Sequence, residues 1–308
     1  MKYIITGGAG FIGSHIAEEL VKRGEEAAII DDLSSGKLEN INEFKDKVRF
    51  VKGNIGDIDL LKKEFKSMDF VIHLAALTSV MQSMNFPKKY NEINIDGTLN
   101  VLKAAKECNV KRVVFASSSA VYGNSDIIPQ KESLLPNPLS PYGNSKLEGE
   151  NLCAQYLKKG LETVSLRYFN VFGPRQNPDS QYAAVIPKFI ASILNSKQPA
   201  IYGDGNQSRD FIFVKDVANA NINACKEDVS GEVINIGSGE KISIHQLLEK
   251  INKSAGKDIQ AKYHNPREGD AKHTLADISK QARLLKLQPA YSLDDGLKET
   301  VEWFRKNF

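Results

Sequence analysis

Two hydrophobic periods alternate along the first 170 residues. Lys2 to Thr6 is a short apolar run with aromatic and β-branched members, which predicts a buried strand. From Ser14 to Arg23 the apolar residues are Ile16, Ala17, Leu20 and Val21, the spacing of one helix face, and Gly24 is where that helix would stop. The alternation continues with a strand at Glu26–Ile30, a strand at Lys47–Ile55, and a short helix at Asp57–Phe65 with Leu60, Leu61 and Phe65 inward. Asp69 to Ala76 is almost continuously apolar, which implies burial on both faces and a parallel sheet. A long helix is predicted over Pro87–Cys108, a strand over Lys111–Ser119, a helix over Pro141–Lys159 opened by Ser140-Pro141 and closed at Gly160, and a sixth strand over Glu162–Asn170. Strands alternating with helices, joined by right-handed crossovers, give an α/β doubly wound parallel sheet.

The pattern changes after Asn170. Gly173-Pro174 opens an irregular stretch rich in Asn, Gln, Pro and Ser. Beyond it, helices are predicted at Ala184–Leu194, Val217–Cys225, Ile244–Ser254 (capped by Ser243, ended near Gly256) and Leu293–Phe308, with Asp294 and Asp295 in the first turn of the last. Short strands are predicted at Ala200–Tyr202, Asp210–Val214 and Glu232–Ile236. The expected organisation is a first domain of residues 1–170, to which 210–236 returns, and a second, smaller α/β domain of residues 171–308. A ligand should lie between them, outside the carboxyl ends of the sheet strands.

The turn after the first strand carries Gly7, Gly8, Gly10 and Gly13. Gly8, Gly10 and Gly13 fit G-x-G-x-x-G between a strand and a helix, the context a dinucleotide fingerprint requires. Glycines permit close approach to a pyrophosphate, and the helix N-terminus offers free N–H groups and positive partial charge. Asp31 ends the second strand at the expected distance, and a carboxylate there accepts ribose hydroxyls and repels a 2′-phosphate. No Arg stands in the following Asp32-Leu33-Ser34-Ser35-Gly36, so NAD is favoured over NADP.

Bulk properties exclude other classes. With 41 basic and 38 acidic residues interspersed along 308 positions, the chain has no basic block for nucleic acid or a membrane surface. No apolar run is long enough to span a bilayer, and the first strand begins at once, so no signal peptide is expected. Cys108, Cys153 and Cys225 are scattered and odd in number, which reads as reduced thiols in a cytoplasmic protein. The five histidines form no compact set with Cys or carboxylates, so no metal site is expected.

Ser117-Ser118-Ser119-Ala120-Val121-Tyr122-Gly123 follows the fifth strand, and Tyr142-Gly143-Asn144-Ser145-Lys146 opens the next helix. A Tyr and a Lys four apart share one helix face. An ammonium near a phenol favours the phenolate, and a nicotinamide cation acts the same way, so Tyr142 can work as a base near neutrality. A serine hydroxyl at the strand end can hydrogen-bond the substrate oxygen.

Together these motifs resemble the extended short-chain dehydrogenase/reductase family, and within it the nucleotide-sugar 4-epimerases of the UDP-glucose/UDP-N-acetylglucosamine type. The resemblance runs over essentially the whole chain, through Thr6–Ser14, His73–Ala76, Ser117–Gly123, Tyr142–Lys146, Arg167–Gln176, Gly203–Ile212 and Arg267–Asp270. It implies a Rossmann-type domain binding NAD and a smaller domain binding the nucleotide sugar. By position, Tyr142 is the implied base, Lys146 its partner and nicotinamide-ribose ligand, and Ser118 the hydroxyl at O4. Implied NAD contacts are Gly7, Gly10, Phe11, Ile12, Gly13, Asp31, Asp32, Ser34, Ser35, Gly36, Lys37, Asn54, Ile55, Leu74, Ala75, Ala76 and Phe169, besides Tyr142 and Lys146. On the substrate side, Asn170, Arg209 and Arg267 are implied to hold the diphosphate and Asp270 the uridine ribose, with Ala184, Val185, Tyr202 and Thr274 also lining the sugar site. Asn54 departs from the family, which usually has an aspartate there for the adenine amino group; an amide oxygen still accepts, so weaker adenine selection is expected. His73 reads as structural.

Relatives that eliminate water or carbon dioxide carry acids beside the active hydroxyl. Here those positions are Ser119 and Ala120, neither a general acid, so the expected reaction stops at oxidation and re-reduction of C4. UDP-glucuronate 4-epimerisation is an alternative. A non-catalytic NAD-binding regulator would not need Tyr142, Lys146 and Ser118 together. Thr274, seven after Arg267, is small where restricted relatives carry a large residue, which implies acceptance of both UDP-glucose/UDP-galactose and their N-acetylated counterparts. Relatives pair through two helices, here Pro87–Cys108 and Pro141–Lys159, which implies a homodimer.

Overall fold

A computed structural model describes residues 1–178, 184–266 and 272–308. Seven parallel strands form the main sheet: β1 (Lys2–Thr6), β2 (Glu26–Asp31), β3 (Val48–Lys52), β4 (Phe70–His73), β5 (Arg112–Ser118), β6 (Glu162–Tyr168) and β11 (Val233–Ile236), in the order β11-β6-β5-β4-β1-β2-β3. The strand order reverses between β1 and β4, which opens a crevice at their carboxyl ends.

Each strand sends alternate side chains to opposite faces. Tyr3 and Ile5 join Ile29, Ile16 and Leu20 of α1 (Phe11–Lys22), and Val217 and Ile222 of α8 (Val214–Lys226), in one core. Ile4 and Ile30 join Leu61 and Phe65 of α2 (Ile58–Phe65), Val101 and Leu102 of α5 (Gly97–Glu107), and Leu152 of α6 (Pro141–Lys158) in another. A third core holds Phe172 of β7 (Asn170–Phe172), Ile190 and Ile193 of α7 (Val185–Leu194), and Phe211 and Phe213 of β10 (Phe211–Phe213). With them pack Leu247 and Ile251 of α9 (Ile244–Ala255), and Val301 and Phe304 of α11 (Leu293–Asn307). Three two-stranded sheets complete this side: β7 with β10, β9 (Ser208–Arg209) with β12 (Ile242–Ser243), and β8 (Ala200–Tyr202) with β13 (Lys262–His264).

Several elements differ from the pattern-based expectation. The apolar run 69–76 stops being strand after His73: the Leu74 N–H makes the last ladder bond, to the Thr6 carbonyl, and the chain then passes beside Gly7 of the glycine turn. The helix expected over 87–108 is α4 (Pro87–Tyr90), a π-helical stretch Asn91–Asp96, and α5. That stretch turns Asn94 inward, where its amide pairs with both backbone polar groups of Leu77 at 2.8 and 2.9 Å and reaches Ser145 at 3.0 Å. The sixth strand ends at Tyr168; Asn170–Phe172 leaves the sheet to pair with β10. Helix α8 begins at Val214, three residues before its expected start. Among the described residues no helix is long and apolar enough to cross a membrane.

Candidate active site

At the end of β1 the backbone of Gly7 is left-handed, with φ +72°, and a Cβ there would stand 2.8 Å from the Ala75 nitrogen. A Cβ on Gly13 would stand 2.3 Å from the Gly7 carbonyl oxygen, so the turn closes only without side chains. Gly10 caps α1 with no side chain, which leaves the N–H groups of its first turn facing outward at the crevice. Phe11 and Ile12 in that turn pack against the third core, so α1 joins the two halves of the molecule. Asp31 is buried at the tip of β2, where each carboxylate oxygen accepts one backbone N–H: Ala9 at 2.9 Å and Leu33 at 2.8 Å. One acceptor position on each oxygen is left for ribose hydroxyls. Burial raises the Asp31 pKa, and the two N–H bonds oppose the rise.

Asn54 fits its surroundings. Its amide donates to Asp32 at 2.7 Å, where an aspartate would face a like charge, and its oxygen accepts the Gly56 N–H at 2.8 Å. Ser34, Ser35 and Lys37 lie exposed on the adjoining loop, Gly36 packs under the Asp31 carboxylate, and Ile55 is buried against Gly97. Leu74, Ala75 and Ala76 leave β4 beside Gly7. The cradle closed by Gly7 and Gly13, the uncapped helix turn and Asp31 together fit an adenine dinucleotide.

Tyr142 and Lys146 sit in the first two turns of α6, which Ser140 caps by accepting the Gly143 N–H at 3.1 Å. Tyr142 is buried, its ring edge-on to Tyr90 at 6.5 Å, and the Ser118 hydroxyl at the end of β5 faces its phenol. The sequence predicts that Lys146 and a nicotinamide cation together favour the phenolate; among the protein's own groups, burial raises the Tyr142 pKa, Ser118 lowers it and Tyr90 adds to the rise. The Lys146 ammonium donates to the Ala116 carbonyl at 2.8 Å and lies 5.9 Å from the Tyr142 ring centre; burial brings its pKa down to about 8.

His73 holds structure, as read from the sequence. Thr98 gives its hydroxyl proton to the Asn94 carbonyl at 2.6 Å, so it accepts from His73 Nε2 at 2.9 Å, and Nδ1 then accepts from Thr6 at 2.7 Å. Burial lowers its pKa to about 3, which keeps it neutral.

On the opposite side, Asn170 donates to the Asp210 carbonyl at 2.9 Å and to Thr274 Oγ1 at 3.4 Å. The Thr274 N–H bonds the Ser208 carbonyl at 3.1 Å, and Arg209 Nη1 donates to the Ser208 and Lys272 carbonyls, so Asn170, Arg209 and Thr274 come together. Tyr202 stacks on His264 with ring centres 5.3 Å apart at the end of β8; Ala184 and Val185 start α7. Phe169 is buried with Val121, Tyr122 and Ala276. Arg267 and Asp270 lie outside the described residues.

Sequence reasoning missed the residue that assembles this side. Asp210 is fully buried and accepts from the Ser238 N–H and hydroxyl, the Gly239 N–H and the Ala276 N–H, at 2.7 to 3.1 Å. The signal was a lone carboxylate opening the apolar run Asp210–Val214. Also missed was the tie from α1 to the segment after β7. His15 donates to the Pro174 carbonyl at 3.0 Å, and Arg175 pairs with Glu18 at 2.7 Å. A cavity of about 450 Å³ at the amino ends of β4, β5 and β6 is remote from these groups, and its Arg112 and Lys111 are already paired with Glu162 and Asp69.

The sequence profile of the NAD dependent epimerase/dehydratase family matches residues 3–237. Among solved structures, the UDP-N-acetylglucosamine 4-epimerase from Methanobrevibacter ruminantium M1, in complex with UDP-N-acetylmuramic acid, has a TM-score of 0.96 at 46% identity, over 100% of this chain and 99% of that one. A Methanocaldococcus jannaschii protein provisionally named UDP-glucose 4-epimerase is 41% identical over 99% of this chain and 98% of its own. The UDP-N-acetyl-alpha-D-glucosaminuronate decarboxylase of Bacillus cytotoxicus is 38% identical over 98% of this chain and 97% of its own.

Proposed function

The chain belongs to the NAD dependent epimerase/dehydratase family, and from its site we propose that it is a UDP-sugar 4-epimerase inverting C4 of UDP-glucose and UDP-galactose and of their N-acetylated counterparts. Relatives of comparable similarity are named for epimerisation and for decarboxylation, so family membership alone does not select the reaction. The observation that carries the choice is the pair Ser119-Ala120 beside Ser118 and Tyr142. It offers no carboxyl group to move a further proton, which favours re-reduction of the 4-keto sugar over elimination.

In this reading Tyr142 Oη takes the proton of the sugar O4 hydroxyl and later returns it, and Ser118 Oγ holds that oxygen in place. The Lys146 ammonium, in a dry site beside the phenol, supports the phenolate once a cofactor cation joins it. Bound NAD supplies the acceptor, and then the donor, of the C4 hydride. Asn170 and Arg209, with Arg267, hold the diphosphate, Asp270 the uridine ribose, and Tyr202, Ala184 and Val185 line the sugar side. Residues 1–170 with the return of 210–236 form the cofactor domain, and 171–308 the sugar domain. Topology supports this in part: α8 packs on α1 and β11 extends the main sheet, whereas β10 stays with β7. Exposed apolar side chains at Val80, Met81, Met84 and Phe86, beside α4, support a homodimer through the helices of 87–108 and 141–159. Three free cysteines support a cytoplasmic setting.

Thr274 is half-buried against Asn170 and supports a site with room beside the sugar C2. The test is a side-by-side assay with UDP-glucose, UDP-galactose, UDP-GlcNAc, UDP-GalNAc and UDP-glucuronate. Turnover of both neutral pairs is expected, and Thr274→Tyr should suppress only the N-acetylated pair. Turnover confined to UDP-glucuronate would replace this reading, and equal loss on both pairs would remove Thr274 as the gate.

A further inference from the structure

Beneath the reacting groups lies a buried polar network that the chemistry above leaves unused. Glu150 follows Tyr142 and Lys146 at helical spacing, so all three share the face of α6 that meets β5. Its carboxylate accepts two N–H bonds from Arg167 of β6, at 2.9 and 2.7 Å, and the Ser117 hydroxyl of β5 at 2.5 Å. Ser117 and Arg167 are register partners across the sheet, and both side chains of the ion pair are buried. The guanidinium also covers the Tyr122 ring at 4.7 Å, and the Tyr122 hydroxyl donates to Asn235 of β11 at 2.6 Å. One network therefore ties β11, β6, β5 and α6 together.

A buried ion pair is a weak device for stability alone, because desolvation offsets much of the attraction. This one fixes relative position. Ser117 immediately precedes Ser118, the last residue of β5. The Ser117 hydroxyl holds the tip of β5 to α6, and the bond from Lys146 to the Ala116 carbonyl is a second tie one residue earlier. The hydroxyl of Ser118 and the phenol of Tyr142 are thus carried by two elements clamped directly below them. We propose that Ser117, Glu150 and Arg167 are positioning residues that set the separation of Ser118 Oγ and Tyr142 Oη. The inference rests on Tyr142 being the base of the proposed reaction.

Groups facing the Tyr142 phenol are Ser118 from β5, Tyr90 from α4, Tyr168 from β6 and Lys146 from its own helix; Ser118 opposes the upward push of burial. Loosening the clamp should therefore raise the phenol. The test uses NAD-loaded wild type, Ser117→Ala and Ser117→Thr, with Tyr142→Phe to identify which phenolate absorbance step belongs to Tyr142. In Ser117→Ala that step should move to higher pH, and in Ser117→Thr, which restores a hydroxyl, it should return. With UDP-glucose, kcat should fall by about ten- to a hundredfold in Ser117→Ala, the range expected for misplacement of a reacting group. KM should stay within about twofold, since no sugar contact is removed. A Glu150→Met/Arg167→Met double variant, which keeps the packing without the charges, should show the same loss of kcat. A lower melting temperature with the absorbance step and kcat unmoved would overturn the proposal, as would failure of Thr to restore what Ala removes. If wild type turns over no UDP sugar, the reaction assignment falls, and the absorbance titration still decides the positioning role.

Discussion

Replacing Lys146 by Met should make the NAD-free protein more stable while making it a poor catalyst. Lys146 is buried, its ammonium donates to the Ala116 carbonyl at 2.8 Å and lies over the Phe115 ring, and its pKa falls from 10.5 to about 8 through burial. At 1.36 kcal/mol per tenfold change in proton affinity, that gap corresponds to about 3 kcal/mol of destabilisation by the charged form. A hydrogen bond from a charged donor returns about 1.5–3 kcal/mol. Met has a similar length and no charge to desolvate, so a net gain of about 1 kcal/mol is expected at neutral pH. The pH dependence is the sharper sign. Below about pH 8 the lysine is charged in both folded and unfolded chains, and its cost is fully present. Between about 8 and 10.5 the unfolded chain binds more protons, so wild-type stability rises with pH and the advantage of Met disappears. Urea unfolding of cofactor-stripped proteins at pH 7.5 and pH 10 reads this directly. A Met variant less stable at pH 7.5, with a deficit that does not change by pH 10, would refute the reasoning.

Tyr142→Phe keeps the buried ring and removes the phenol, so kcat should drop by about 10²–10⁴ with the fold retained by circular dichroism. Near-normal epimerisation would exclude Tyr142 as the base. Gly13→Ala places a Cβ 2.3 Å from the Gly7 carbonyl oxygen, so the turn must open. NAD affinity measured by calorimetry should fall at least about tenfold, with a stability loss of about 1–3 kcal/mol. Sedimentation velocity at micromolar concentration should show a dimer; a monomer would refute the pairing through the helices of 87–108 and 141–159.

What was legible in the sequence follows from the physics of each feature. The sheet strands announced themselves because burial on both faces leaves an apolar run, as in Phe70–His73 and Val113–Ala116. The glycine turn and Asp31 were legible because few side chains can occupy such positions. The π-helical stretch was not, because its cause is the distant backbone of Leu77, which Asn94 satisfies. Strand β7 was hidden because Asn170–Phe172 continues the apolar run of β6 and only its pairing with β10 separates them. The upward push of burial on the Tyr142 phenol was not legible for a similar reason. Spacing places Lys146 on its helix face, but the ammonium goes to the Ala116 carbonyl, and burial governs the phenol until a cofactor arrives.

The central claim is that one site removes and returns the same C4 hydrogen. Its most direct test is to incubate the purified protein, without added cofactor, with UDP-glucose deuterated at C4 and to follow the label by mass spectrometry and NMR. The account predicts UDP-galactose that keeps its deuterium at C4, and a reaction abolished in Tyr142→Phe. Galactose product that has lost the label to solvent, or a wild type that binds NAD and leaves UDP-glucose unchanged, would contradict it.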